Sequence, residues 1–166
     1  EIDYLLYSPD DRAGALGFGL NQEPPAPSRK FNQTMELERL QELADLIITD
    51  EDLPEGPEAE QAQKLMVGGT SMGGARPKAV VEDESGLWIA KLRHPEDKWN
   101  DARVEHAMLM LARECGLQVA ESKVVTIGEH DAVLVKRFDR EKTTAGYRRG
   151  RMLSALTLLR SDENYQ

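Results

Sequence analysis

The sequence contains little cysteine, little histidine, few aromatic residues and no long apolar run. Its one cysteine, Cys115, excludes an internal disulfide and any multi-cysteine metal site, and the three histidines lie far apart in the chain. We therefore expect no metal site in this chain. No stretch approaches the roughly 18 apolar residues that a membrane span needs, and no basic-then-apolar leader opens the sequence. Both absences favour a cytoplasmic location without membrane contact.

The chain has 166 residues, of which 31% are charged and 40% are hydrophobic. This length suits one domain or a piece of a larger protein, by the soft rule of about 150 residues per domain. The first residue is Glu1 rather than Met, and the polar residues at the other end follow an apolar stretch with no stop signal. We therefore expect the chain to be a segment of a larger protein, with part of any catalytic apparatus outside it.

Charge is distributed unevenly along the chain. The formal net charge is −9, and residues 36–60 hold ten acids against Arg39 alone. Residues 136–151 instead carry seven basic side chains against Asp139 and Glu141, a local charge of +5. Such a stretch can meet phosphate or an acidic partner, although a solvated surface is the commoner reading. The net acidity argues against strong independent DNA binding, because phosphate contacts need clustered lysines and arginines.

The first 66 residues divide into two parts. Residues 4–7 and 14–19 predict two extended segments of a partial N-terminal β subdomain, which we place at residues 1–20. Prolines then predict a linker, and an acidic helical segment completes residues 21–66. The helix can begin at a Thr34 cap and end near Ile48. Its apolar residues repeat at helical spacing: Leu37, Leu40, Leu43, Ala44 and Ile47.

The remainder alternates strands with one helix. Residues 79–81 and 87–90 predict a hairpin with its turn at residues 83–86, and two further strands are predicted at residues 122–127 and 132–135. Residues 101–115 predict an amphipathic helix that Gly116 ends. This order favours an α+β fold with an antiparallel sheet and one packed helix. The predicted apolar face of the helix consists of Val104, Ala107, Met108, Leu111 and Cys115.

The order of the polar features is the order of parts in the small lobe of a protein kinase. A glycine-rich segment at residues 68–74 precedes a strand that ends in Lys91, a helix that contains Glu105, and a polar exit at residues 136–140. A glycine turn lets backbone N–H groups approach the phosphates of ATP, a strand lysine holds phosphate oxygens, and a helix carboxylate orients that lysine. Taken singly, each feature has an ordinary reading as a turn or a surface side chain. A Walker A loop does not fit, because Ala75 and Arg76 stand where it needs lysine and then a hydroxyl.

Several segments together resemble the HipA-like serine/threonine kinases of bacterial type II toxin-antitoxin systems. They are GTSMGGARPK at 69–78, WIAK at 88–91, Glu105 with LMLARECG at 109–116, VLVKRFDR at 133–140 and SALTLL at 154–159. Residues 3–7 and 12–18 are similar to the end of the family's N-terminal subdomain. The resemblance implies a protein-kinase-like small lobe at residues 67–140 with its glycine-rich loop and hinge. Residues 141–166 would then begin a C-lobe that is truncated here.

The resemblance also implies roles for individual residues, with ATP and Mg²⁺ as cofactors. Lys91 would bind phosphate and Glu105 would be its ion-pair partner, both as catalytic residues. Ser71 corresponds to the loop serine that such kinases autophosphorylate, and a phosphate there would add about −1.5 to −2 charges and expel the loop. The implied ATP-binding residues are Gly73, Gly74, Ala75, Arg76, Pro77 and Lys78 in the phosphate loop, Lys91, the adenine hinge Lys136, Arg137 and Phe138, and Asp139 near the ribose.

The sequence departs from the family pattern at Arg76, where glutamine is commoner, and at Lys136, where glutamate is common. The catalytic-loop aspartate, its nearby asparagine and a metal-binding aspartate should follow residue 159, so this chain alone is expected to be inactive. The resemblance implies a HipB-like helix-turn-helix antitoxin as partner and an aminoacyl-tRNA synthetase as protein substrate. Contact with DNA would occur only through the antitoxin.

Two alternatives stay open. The chain could be a non-catalytic nucleotide-binding or antitoxin-docking module of a split kinase, completed by a separate chain. It could instead be a plain α+β interaction domain in which the glycine-rich segment is only a turn. Loss of Mg-ATP binding in a Lys91→Ala variant would favour the kinase readings over the interaction domain.

Overall fold

The computed structural model of the chain describes residues 12–17, 20, 32–33, 37–48 and 76–161. Several predicted features lie outside these residues: the extended segment at 4–7, the proline linker and the glycine-rich segment at 68–74. Of the predicted extended segment at 14–19, residues 14–17 are described and form bends and irregular chain rather than a strand. Among the described residues, no helix is both long enough and apolar enough to cross a membrane.

The described residues form an α+β fold with two sheets and few helices. The larger sheet has five strands in the order β1-β2-β3-β5-β4, and the smaller pairs β6 with β7. All pairs are antiparallel except β1 with β2. The elements are β1 Asn32–Gln33, α1 Leu37–Ile48, β2 Lys78–Asp83, β3 Gly86–Lys91, α2 Asp101–Glu114, β4 Ser122–Ile127, β5 His130–Lys136, β6 Arg140–Thr143, β7 Gly146–Arg149 and α3 Ala155–Leu159.

Helix α1 covers one face of the large sheet. The predicted helix that ends near Ile48 is confirmed, and its buried leucines and alanine contact every second residue of the strands. Alternate residues of a strand point to the same face, so the side chains on the face that α1 covers form the core. The largest members of this core are Trp88, Leu92, Leu134, Leu37 and Leu40, and smaller ones are Ala44, Ala79, Val81, Ala90, Ile127 and Ala132.

Helix α2 lies on the opposite face of the sheet, where Lys91 points. The predicted helix at residues 101–115 is confirmed over Asp101–Glu114, with Asn100 as its N-cap and Cys115 as its C-cap. Gly116 follows with a φ of +80°, in the left-handed region that favours glycine. The strands predicted on either side of the helix are likewise confirmed as β2 to β5.

The predicted apolar face of α2 is wrong as a packing face. Val104, Met108 and Leu111 are 53%, 59% and 56% exposed, and Ala107 and Cys115 are exposed as well. The side of α2 nearest the sheet instead carries residues that are buried or half-buried. They are Ala102, Glu105, His106, Leu109 and Ala112.

Polar contacts explain this orientation of α2. Glu105 pairs with Lys91 of β3, and the imidazole Nδ1 of His106 lies 2.9 Å from Ser122 Oγ of β4. Periodicity identifies the apolar side of a helix but not the neighbour that the helix faces. Here specific hydrogen bonds and the small Ala102 hold the other side against the sheet.

The β6–β7 hairpin was not predicted from the sequence. It pairs Arg140 with Arg149 and Thr143 with Gly146 around a two-residue turn. Tyr147 Oη donates a 2.6 Å hydrogen bond to Glu82 Oε1, and Lys142 Nζ reaches the carbonyl of Asp83. These contacts fix the hairpin against the β2–β3 turn.

Candidate functional site

The centre of the candidate site is an ion pair between Lys91 and Glu105. Lys91 is the last residue of β3, and Glu105 lies in the second turn of α2. Lys91 Nζ donates to Glu105 Oε1 at 2.5 Å, and each side chain is about one-third exposed, at 34% and 35%. The structure thus joins the two residues that the sequence placed in catalytic roles; those roles stay a prediction.

A second lysine lies beside the first. Lys78 of β2 is the direct cross-strand partner of Lys91, so both side chains point to the face of the sheet that α2 occupies. The pKa of Lys78 is lowered, mainly by burial and secondly by the positive charge of Lys91. Two adjacent ammonium groups repel each other, and a polyanion placed between them would relieve that repulsion.

An apolar row continues from the lysines across the same face. Val80 pairs with Ile89, and Ile89 pairs with Val135, so three β-branched side chains cross three strands. Val80 is buried, and the other two are half-buried. Such a row offers a flat apolar surface for a planar ring, next to a cationic end for phosphate.

Arg76 reaches away from the lysines toward α2. Its guanidinium donates to both carboxylate oxygens of Asp97, at 2.7 and 2.9 Å, and to Asp101 Oδ2 at 2.6 Å. The hydrogen bond to Asp101 is the main cause of a raised pKa for Arg76, against the opposing effect of burial. Burial would raise the pKa of Asp97, but bonds from the His94 N–H and Arg76 hold it below its ordinary value. The structure therefore gives Arg76 carboxylate partners within the chain.

The other predicted loop residues are only partly described. Pro77 is buried, and its carbonyl accepts a 3.0 Å hydrogen bond from the N–H of Leu92. Ser71, Gly73, Gly74 and Ala75 lie outside the described residues. Their predicted roles stay predictions.

The predicted adenine hinge follows the end of β5. The N–H of Lys136 donates to the Glu121 carbonyl at 2.8 Å, and the N–H of Arg137 donates to the Leu87 carbonyl at 2.9 Å. Both N–H groups are therefore bonded within the chain, and the predicted adenine contacts of Lys136, Arg137 and Phe138 stay predictions. The Phe138 side chain is 75% exposed, between two buried neighbours.

Asp139 occupies the centre of a buried ionic network. Its carboxylate, 5% exposed, accepts hydrogen bonds from Arg137 at 2.7 and 2.9 Å, from Arg140 at 2.7 Å and from the Gly14 N–H at 2.8 Å. Burial would raise the pKa of Asp139, but Arg137, the Gly14 N–H and Arg140 lower it. A contact between this carboxylate and a ribose would require the exchange of one of these bonds.

The same network holds the N-terminal segment. Arg137 and Arg140 both donate to the Arg12 carbonyl, at 3.1 and 2.7 Å, and Arg140 also donates to the Gly14 carbonyl at 2.9 Å. Sequence reasoning missed this structural role of the Arg-Phe-Asp-Arg element. The available signal was an acid flanked by two arginines at the end of an apolar strand, which is suited to a buried ion cluster.

A cavity of about 350 Å³ lies between α2, the β3–α2 loop and the start of β5. Two ion pairs of α2 line it: Lys91 with Glu105, and Arg76 with Asp101. Within the described residues, no group of three or more histidine, cysteine, aspartate or glutamate side chains could hold a metal ion.

Comparison with known proteins identifies the family. The model of the HipA-like C-terminal domain matches residues 70–166, more than half of the chain. The chain belongs to the HipA-like family. No curated protein matches the sequence.

A solved structure is similar to this HipA-like chain in fold. It is a chain in the Shewanella oneidensis MR-1 toxin-antitoxin complex of HipA, HipB and its operator DNA, with a TM-score of 0.53 and 21% sequence identity. The match covers 90% of the HipA-like chain described here and 34% of the Shewanella chain. The chain thus spans about one-third of the length of the structure that it matches.

Proposed function

We propose that this HipA-like chain is the ATP-binding small-lobe portion of a serine/threonine protein kinase. The observation that carries the proposal is the 2.5 Å ion pair between Lys91 and Glu105. A strand lysine oriented by a helix carboxylate is the arrangement that kinases use to hold the phosphates of ATP. The two residues are 14 positions apart in sequence and on different elements, so their contact depends on the fold.

ATP fits the remaining features of this face. Lys78 and Lys91 would hold phosphate oxygens, and the row of Val80, Ile89 and Val135 would contact the adenine ring. Bound Mg²⁺ would neutralise charge on the phosphates. We assign its ligands, and the base that accepts the substrate hydroxyl proton, to residues beyond those described. Ser71 is the proposed autophosphorylation site.

The partners follow from the family. A HipB-like helix-turn-helix antitoxin is the proposed partner, supported by the presence of HipB and operator DNA in the Shewanella structure. DNA contact would then occur through the antitoxin. We propose a cytoplasmic protein that phosphorylates a translation-related substrate such as an aminoacyl-tRNA synthetase.

Binding of Mg-ATP to the full-length protein tests the proposal. Lys91→Ala should weaken binding by about tenfold or more, because hydrogen bonds to charged groups contribute ~1.5–3 kcal/mol. Lys98→Ala is the matched control, since Lys98 is an exposed lysine in the β3–α2 loop. Its affinity for Mg-ATP should stay at the wild-type value.

Three outcomes separate the readings. Equal affinity in the wild type and Lys91→Ala would contradict the ATP site. Binding that depends on Lys91, with transfer of phosphate to a protein hydroxyl, supports the kinase. Binding that depends on Lys91 without transfer by the full-length protein favours a nucleotide-binding module.

A further inference from the structure

Arg76 connects three separate parts of the structure. It immediately precedes Pro77 and β2, it binds Asp97 in the β3–α2 loop through two hydrogen bonds, and it binds Asp101 in the first turn of α2. The Asp97 side chain is 9% exposed and the Arg76 side chain is 43% exposed, so the contact is buried on the Asp97 side and open to water on the Arg76 side. A planar guanidinium bound by both carboxylate oxygens has a fixed orientation as well as a fixed position.

The contact with Asp101 lies next to the Lys91–Glu105 pair. Asp101 and Glu105 are four residues apart in α2, so they lie one turn apart on the same side of the helix. Each accepts from a cation on the other side of the cavity: Asp101 from Arg76, and Glu105 from Lys91. The two ion pairs thus fix both the position and the rotation of α2 relative to β2 and β3.

The path from Arg76 to the lysine pair is short and stiff. Only Pro77 separates Arg76 from Lys78, and proline has a fixed φ. The Pro77 carbonyl is also bonded to the N–H of Leu92, which is the residue after Lys91. Displacement of Arg76 would therefore move the start of β2 and the helix that orients Lys91 together.

We propose that Arg76 is a positioning residue that couples the start of β2 to α2, so that both lysines and Glu105 keep their phosphate-binding arrangement without Arg76 touching the nucleotide. This inference rests on the proposed ATP site. Loss of the Arg76 contacts should weaken the binding of the phosphate groups selectively. The adenosine part should be affected little, because it would contact the apolar row and not the lysines.

The experiment compares ATP, ADP and adenosine as ligands of the full-length protein and its variants. Arg76→Ala should weaken ATP and ADP binding by about tenfold and adenosine binding by less than about twofold. A tenfold loss of affinity is about the contribution of one hydrogen bond to a charged group. Asp101→Asn should follow the same pattern more weakly, and Arg76→Lys should restore part of the affinity. Asp101→Asn also keeps the test usable if Arg76→Ala fails to fold.

Arg103→Ala is the matched control. Arg103 lies on the same helix and donates a 2.6 Å hydrogen bond to Asp131, but this partner lies at the start of β5 and not near β2. The Arg103→Ala substitution should lower the melting temperature about as much as Arg76→Ala does. It should leave the ratio of ATP affinity to adenosine affinity unchanged. If Arg76→Ala and Arg103→Ala give the same ratio, Arg76 is merely structural and the proposal is overturned. If the wild type binds no ATP, the proposed function itself fails.

Discussion

Asp139 illustrates how a single residue can have a structural role that its sequence context conceals. The Arg-Phe-Asp-Arg element suggested a nucleotide contact, yet its two arginines and its aspartate bind one another and the backbone near Arg12. The bonds from this element to the backbone of Arg12 and Gly14 join residues that are 125 to 128 positions apart in sequence. Local pattern can nominate such a residue, but contacts across that distance depend on the completed fold.

Removal of the Asp139 charge should destabilise the protein strongly. Arg137 and Arg140 have side chains that are 1% and 2% exposed, so Asp139→Asn would leave buried positive charge without its counterion. Loss of one partner of a buried pair costs about 3–5 kcal/mol. Urea unfolding should record a loss of that size in the free energy of unfolding.

Glu141→Gln is the control for this prediction. Glu141 pairs with Arg148 on the surface, where both side chains are mostly exposed. Such pairs contribute less than about 1 kcal/mol. An Asp139→Asn variant as stable as Glu141→Gln would contradict the structural role of the network.

At the scale of elements, periodicity predicted where helices and strands lie but not how they face one another. The strands β2, β3, β4 and β5 and the end of α2 before Gly116 could be predicted, because these depend on neighbours in sequence. The side of α2 that contacts the sheet could not be predicted from the sequence, because it is determined by contacts with Lys91 of β3 and Ser122 of β4. The β6–β7 hairpin was missed, since its polar strands lack the apolar alternation that marks a half-buried strand.

Asp131, the second residue of β5, connects the start of α2 to β4, and its contacts predict a pH dependence of stability. It accepts hydrogen bonds from Arg103, Asn100 and Thr126 at 2.6, 2.7 and 2.9 Å, and these lower its pKa to about 2. An aspartate in an unfolded chain has a pKa of about 4. Because the folded pKa is the lower one, the stabilisation is complete above about pH 4 and is lost as pH falls through about 2.

Asp131→Asn should therefore flatten the acid limb of the stability curve. The wild type should lose more of its free energy of unfolding between pH 5 and pH 2 than the variant does, as measured by urea unfolding at each pH. Asp131 is well suited to this comparison because its three partners belong to two elements. Parallel pH curves for the two proteins would show that Asp131 does not contribute to the acid limb.

At the scale of the whole molecule, the chain belongs to the HipA-like family. It spans 34% of the Shewanella chain that it matches. The family and the pairing of Lys91 with Glu105 could be predicted from the motifs and their order, because both are visible in the sequence without knowledge of the fold. The partners of Arg76 and Asp139 could not be predicted, because they depend on the docking of α2 and of the N-terminal segment.

The central claim is that Lys91 and Glu105 act as one unit in binding ATP. A double-mutant cycle tests it: Mg-ATP affinity is measured for the wild-type full-length protein, Lys91→Ala, Glu105→Ala and the double variant. We predict that each single variant loses about tenfold in affinity and that the double variant loses little more. The reason is that the effects of substituting two residues in contact do not add. Losses that multiply in the double variant, or no loss in either single variant, would contradict the account.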